Sequence, residues 1–151
     1  MASRSLTSDE RALAASIFGD AIRYEMVRIH MRKYFPFQPR RMTMAPDGHL
    51  WFHPRADHYC DDFCDSPLAL QGHFIHEMTH VWQAQTKGRW YLPLRRHPWC
   101  RYEYDFVPGK PFARYGIEQQ AEIVRHVFLY RNGINPGSTA PRDMLEALLP
   151  F

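Results

Sequence analysis

The pattern of apolar and polar positions divides the chain into a few regular elements separated by irregular stretches. Near the N-terminus, Leu13, Ile17 and Phe18 recur at helical spacing behind Ser8-Asp9-Glu10. A first helix is predicted there, with Ser8 as its cap, acids in its first turn and Gly19 as its end. From Ile22 to His30 the side chains alternate imperfectly and are rich in β-branched and aromatic types, which reads as a strand. Pro36 and Pro39 interrupt any regular structure beyond it. Met42–Met44 and His49–His53 then flank Ala45-Pro46-Asp47-Gly48. Proline fixes φ, aspartate caps locally and glycine takes positive φ, so a β-hairpin is predicted with its second strand at 49–53.

The clearest periodicity comes after a connecting loop at 54–65. Leu70, Phe74, Met78, Val81 and Gln85 recur at spacings of three and four, the stripe of a half-buried helix. Ser66-Pro67 supplies a cap and a first helical residue, and Lys87-Gly88 supplies the stop. Residues 89–100 carry Pro93 and Pro98 and read as irregular, and Tyr102 to Phe106 as a short extended piece. A second long helix is predicted from about Phe112 to Arg131, closed by Asn132-Gly133. A terminal helix is predicted over 140–149, with Thr139 as cap and Pro141 in its first turn. The expected architecture is α+β: one domain over residues 1–151, a short antiparallel hairpin or sheet packed on two helices.

Composition supports a single packed domain. The 151 residues are 45% apolar and 15% aromatic, and 12 prolines and 8 glycines match many irregular connections between few elements. The net charge is +3 and the arginines are scattered, which argues against a nucleic-acid partner. No apolar run reaches the ~18–20 residues of a membrane span. The first ten residues lack an apolar signal region, so synthesis in the cytoplasm is expected, with export open only to a signal-independent route. Cys60, Cys64 and Cys100 form no disulfide framework. Cys60 and Cys64 with His58 lack an evident fourth ligand, so a structural or incidental role is expected.

The chemistry is concentrated in His76-Glu77-Met78-Thr79-His80, inside the strongest predicted helix. At about 100° per residue, His76 and His80 fall one turn apart on one face, where two imidazoles can bind one zinc ion. Glu77 lies at the edge of that site, where it can take a proton from a zinc-bound water. A catalytic zinc needs a third protein ligand. Glu118, Glu122 and His126 share one face of the second long helix; Glu118 is assigned as the ligand and Glu122 as acceptor of the Nδ1–H of a zinc-bound histidine. A donor for the negative oxygen formed during hydrolysis is sought among Tyr115, Arg114, His97 and His126, without a choice among them. His73 and the aromatic set Trp82, Trp90, Trp99, Tyr91 and Tyr102 can line a cleft or belong to ordinary packing. The strand at 49–53 is a candidate edge for an extended peptide.

An HExxH motif with Glu118-x-x-x-Glu122 downstream resembles the gluzincin metallopeptidases. That family usually has aspartate where Glu122 stands. The wording from Gly72 to Gln83 and from Tyr115 to Glu122, with Pro36–Arg40 and Leu92–Pro98, is similar to small bacterial Vgr-related proteins. It is also similar to zincin domains of type VI secretion spikes and extracellular injection systems. The resemblance implies a small zincin-like fold, a Zn2+ cofactor held by His76, His80 and Glu118, and catalysis through Glu77. It also implies a peptide or protein substrate, and a secretion-spike or immunity protein as partner. Two alternatives are a catalytically silent zinc-binding adaptor and a zinc amidase acting on peptidoglycan.

Overall fold

A computed structural model describes residues 3–138 and 140–151. Its elements in order are β1 (Ser3–Ser5), α1 (Ser8–Phe18), β2 (Arg28–His30), β3 (Leu50–Trp51), α2 (Leu68–Lys87), α3 (Tyr91–Arg95), α4 (Ile117–Arg131) and α5 (Arg142–Leu148). Single 3-10 turns at Tyr24–Met26, Phe63–Asp65 and Phe112–Arg114 punctuate the connections. The strands form one small sheet in the order β1-β2-β3, antiparallel between β1 and β2 and parallel between β2 and β3. The α+β class is as expected from the sequence.

The centre of the molecule is α2. From Phe74 to Val81 it is buried all round rather than along one stripe, because α4 covers the face that carries the polar residues. Its apolar side chains Phe74, Ile75, Met78 and Val81 join Phe52 and Phe63 on one side and Val124, Val127 and Phe128 of α4 on the other. Each fully buried side chain of this size contributes about 1.5–3 kcal/mol, so the helix pair is the best-anchored part of the fold. Trp82 belongs to this packing as well, edge-on to Phe112 and Phe151.

Several local expectations shift for identifiable reasons. Thr7, not Ser8, caps α1: its hydroxyl accepts from Glu10 N and the Glu10 carboxylate accepts from Thr7 N, a reciprocal box that outcompetes Ser8. Ser66 ends the preceding 3-10 turn by donating to Phe63 O, which moves the start of α2 to Leu68 with Pro67 at the cap. The predicted strand at 22–30 shrinks to Arg28–His30, since Tyr24–Met26 turns instead.

The predicted hairpin reduces to one antiparallel bridge, Met44 to Trp51, and β3 pairs in parallel with β2. Gly48 does take the positive φ (88°) required by the turn. The outer edge of β3 is therefore occupied by Met44, so it is not the free edge the sequence implied.

Residues 91–95 are a short helix, α3, because Pro93 sits in its first turn, where no amide is needed. Tyr102–Phe106 pairs with no strand among the described residues. The second long helix begins at Ile117, after the separate turn at Phe112–Arg114 and its cap at Gly116. Pro141 caps α5, and the Thr139 cap lies outside the described residues.

Candidate metal centre

Two helices build the centre. The i, i+4 spacing on α2 stacks His76 above His80, with ring centroids 5.0 Å apart, and α4 crosses so that Glu118 faces both. His76 Nε2 lies 3.2 Å, and His80 Nε2 3.3 Å, from Glu118 Oε2. All three side chains are buried, and one potential ligand atom from each lies within 4.8 Å of the others.

The hydrogen bonds behind the two rings fix which nitrogen faces the centre. Gln83 Nε2 donates to Ile117 O (3.0 Å) and Gln120 Oε1 (2.9 Å), so its amide oxygen must face His80. That oxygen therefore accepts from His80 Nδ1 at 2.8 Å. Glu122 Oε1 likewise accepts from His76 Nδ1 at 2.8 Å, and its other oxygen is held by Arg125 at 2.9 Å. With both Nδ1 atoms donating, each Nε2 turns a lone pair inward, towards a carboxylate that is itself only an acceptor. Three converging electron-pair donors in a buried space repel unless a proton or a cation sits among them.

A proton answers part of that need. Burial depresses the His76 imidazole, but its hydrogen bonds to Glu118 and Glu122 outweigh burial and lift it to about 9. Burial raises Glu118 and Glu122, yet their histidine partners hold both well below the usual carboxylate range. The need is not fully met. Glu118 Oε1 is buried without a hydrogen bond, since His80 Nε2 at 3.2 Å is not aligned with it, and Glu77 Oε2 is also buried and unpartnered. Two imidazoles and a carboxylate, with an acceptor left over, fit a divalent cation of the zinc type.

Glu77 and His76 open onto a cavity of about 320 Å3 bordered by Met42, Thr43, Arg96 and Tyr102. The Tyr102 ring stacks on His76 (5.9 Å, 18°), and Arg96 Nε is 3.9 Å from Glu118 Oε1. A second cavity of about 430 Å3 is lined by Glu118 and His97. Above Glu77, His73 Nε2 is 3.9 Å from Glu77 Oε1 and 3.0 Å from the Thr43 hydroxyl, which also bonds His58 at 2.7 Å. Burial, only partly opposed by Glu77, pushes the His73 imidazole down.

The structure thus brings together His76, Glu77, His80, Glu118 and Glu122, and leaves other candidates apart. Tyr115 is buried at the start of α4 with its hydroxyl accepting from Val107 N at 3.2 Å, away from both cavities. Arg114 is exposed and borders neither. His126 bonds Tyr104 at 2.6 Å and approaches Glu122 at 3.5 Å, so it braces the carboxylate from behind. Cys60 and Cys64 are free thiols, and the only metal-compatible cluster among the described residues is His76, His80 and Glu118. The sequence reading missed Gln83, whose position three residues after His80 was an available signal, and Arg96, which had none.

No established family model matches the chain. A curated relative does: the type VI secretion system spike protein VgrG2b of Pseudomonas aeruginosa is 40% identical over 148 residues, 93% of this chain. The chain spans only 14% of that protein's length. Among solved structures, the effector domain of P. aeruginosa VgrG2b superposes with a TM-score of 0.72 at 38% identity, over 85% of this chain and 75% of that one. The chain belongs to the VgrG2b effector-domain family.

Proposed function

We propose that this chain is a zinc-dependent peptide-bond hydrolase acting as a secreted effector or accessory protein. The observation that carries the reading is the convergence of two imidazole lone pairs and Glu118 beside a buried, unpartnered Glu77 oxygen. His76, His80 and Glu118 would hold the ion, which would supply a Lewis acid and make a nearby water more acidic. Glu77 takes the proton of the attacking water at its free oxygen and delivers it to the leaving nitrogen. Tyr102 and Arg96, bordering the same cavity, donate to the carbonyl oxygen as it becomes negative. Glu122 and Gln83 hold the two rings in the ligating tautomer.

A silent zinc-binding adaptor explains less. A structural site closes its fourth position and has no use for a buried carboxylate oxygen without a partner. Kinship with a spike protein supports delivery by a type VI secretion spike or a related injection system. No helix among the described residues is long and apolar enough to cross a membrane.

Metal analysis of protein purified without added zinc tests the reading. About one zinc per chain, lost in Glu118→Ala, is expected, together with cleavage of a peptide mixture that disappears in Glu77→Ala. Absence of zinc even after reconstitution would end it.

A further inference from the structure

The two cavities beside the candidate centre share a charge pattern that the proposed hydrolysis does not require. Arg95 and Arg101 line the larger one, and Arg41 and Arg96 border the smaller one beside Glu77. Some arginines are paired: Arg4 with Glu10, Arg40 with Asp57, Arg131 and Arg142 with Glu146 and, bordering the smaller cavity, Arg125 with Glu122. Among the described residues, Arg41, Arg95 and Arg101 have no carboxylate partner, and Arg96 has only the approach to Glu118. Arginines without a carboxylate partner occur elsewhere as well, but here four guanidinium groups border the two cavities beside the candidate centre.

Like charges grouped without partners repel one another, so the arrangement costs the free protein and favours an anionic occupant. A cleft with low-dielectric walls focuses that field. The carboxylates that border the cavities are Glu77 and Glu118, which are buried, and Glu122, which Arg125 holds, whereas Arg41, Arg95 and Arg101 are exposed. Trp99, 80% exposed, lies against the larger cavity and offers an apolar face beside the guanidinium groups.

We infer that the cleft selects polypeptides bearing aspartate or glutamate close to the cleaved bond, with Arg95 and Arg101 at the larger cavity receiving the acidic side chain. Cleavage here rests on the hydrolase reading, whereas binding of an acidic polypeptide does not and is measurable without turnover. The guanidinium groups match carboxylates in geometry as well as in charge.

The test has two arms. In the first, zinc-loaded protein is given matched fluorogenic peptides in which Asp/Glu is exchanged for Asn/Gln. Acidic peptides are expected to be cut with higher kcat/KM. Arg95→Ala/Arg101→Ala should lower that value about tenfold for acidic peptides, and within about twofold for the amide versions, as two cleft charge contacts allow. In the second, Glu77→Gln protein is titrated with an acidic hexapeptide, its amide analogue and an oligothymidylate of equal charge, by fluorescence anisotropy.

Cleavage without acidic preference, or a double variant that lowers all peptides equally, overturns the inference and leaves the hydrolase intact. Preferential binding of the acidic peptide without cleavage of any peptide defeats the hydrolase reading and keeps the inference. Tighter binding of the oligothymidylate overturns it in favour of nucleic acid.

Discussion

Two buried charged clusters sit in different parts of this small domain, and they are finished differently. In the first, Glu10 is fully buried, and its two oxygens accept four hydrogen bonds, from Arg4 Nη1 and Nη2, Thr7 N and Phe63 N. Arg4 in turn donates to Tyr59 and to the carbonyl of Cys60, so β1, α1 and the 59–63 loop are tied through one ion pair. In the second, His76, His80 and Glu118 crowd together and still leave Glu118 Oε1 and Glu77 Oε2 without partners. A closed cluster holds structure, because every buried acceptor has a donor. An open one leaves desolvated acceptors waiting for something the chain does not supply. The contrast separates charge that closes on itself from charge left open within one molecule.

Matched substitutions separate the two clusters most strongly. Glu77→Gln should lower peptide hydrolysis by about 10²–10⁴-fold, the usual weight of a general base, while leaving the thermal midpoint and zinc content close to wild type. Glu10→Ala should do the reverse. It strands the Arg4 charge and costs about 3 kcal/mol, near the lower end for a broken buried pair because Arg4 is partly exposed. For a domain of this size that is roughly 6–12 °C in Tm, read by calorimetry on the metal-free protein. A Glu77→Gln variant that melts as early as Glu10→Ala would erase the distinction.

Filling the open cluster is of comparable size. Zinc at about a thousand times its Kd should stabilise the wild type by about 4 kcal/mol, visible as a concentration-dependent rise in Tm. Glu118→Ala should abolish that rise, and Glu10→Ala should retain it. Glu122→Ala should weaken zinc binding by about 10–100-fold, since it releases the His76 ring without removing a ligand; competition with a chelator measures this.

A further expected effect is on pH dependence. In the folded metal-free protein His76 titrates near 9, above its ordinary value of 6.5. A raised value contributes stability that is fully present below about 6.5 and is lost as pH rises through about 9. The denaturation midpoint of the metal-free protein should therefore fall between about pH 6.5 and 10. Zinc, which takes the place of the proton, should remove the decline. A midpoint that stays constant without metal would mean the lone pairs are reconciled in some other way.

Much of the centre was legible because it is local. The i, i+4 geometry of His76 and His80 depends only on helical repeat, and so does the placement of Glu118 and Glu122 on one face of α4. Boundaries drifted by one to a few residues where neighbouring side chains competed for the same amide, as Thr7 did with Ser8. The sheet was read poorly. Two- and three-residue strands carry almost no period, and the parallel pairing of β2 with β3 joins Ile29 to Leu50, far apart in the chain. Tyr115 shows the same limit from another side. Three residues before Glu118 it looked close to the site, but the turn that starts α4 sends its hydroxyl to Val107.

Sequence alone determined the class of fold, the two principal helices, the pair of candidate ligating histidines, the candidate general base and the carboxylates that face them, since each depends on spacing along a helix. Only the tertiary structure decided that α4 crosses α2 at the height of Glu118, and that Gln83 fixes the tautomer of His80. It also decided that Tyr102 and Arg96 arrive at the cleft from an irregular segment, and that four arginines gather around its mouths. The physical reason is range. Helical repeat acts over four residues and is written into the sequence, whereas the cleft is made by contacts across loops whose paths are set by packing against the finished core.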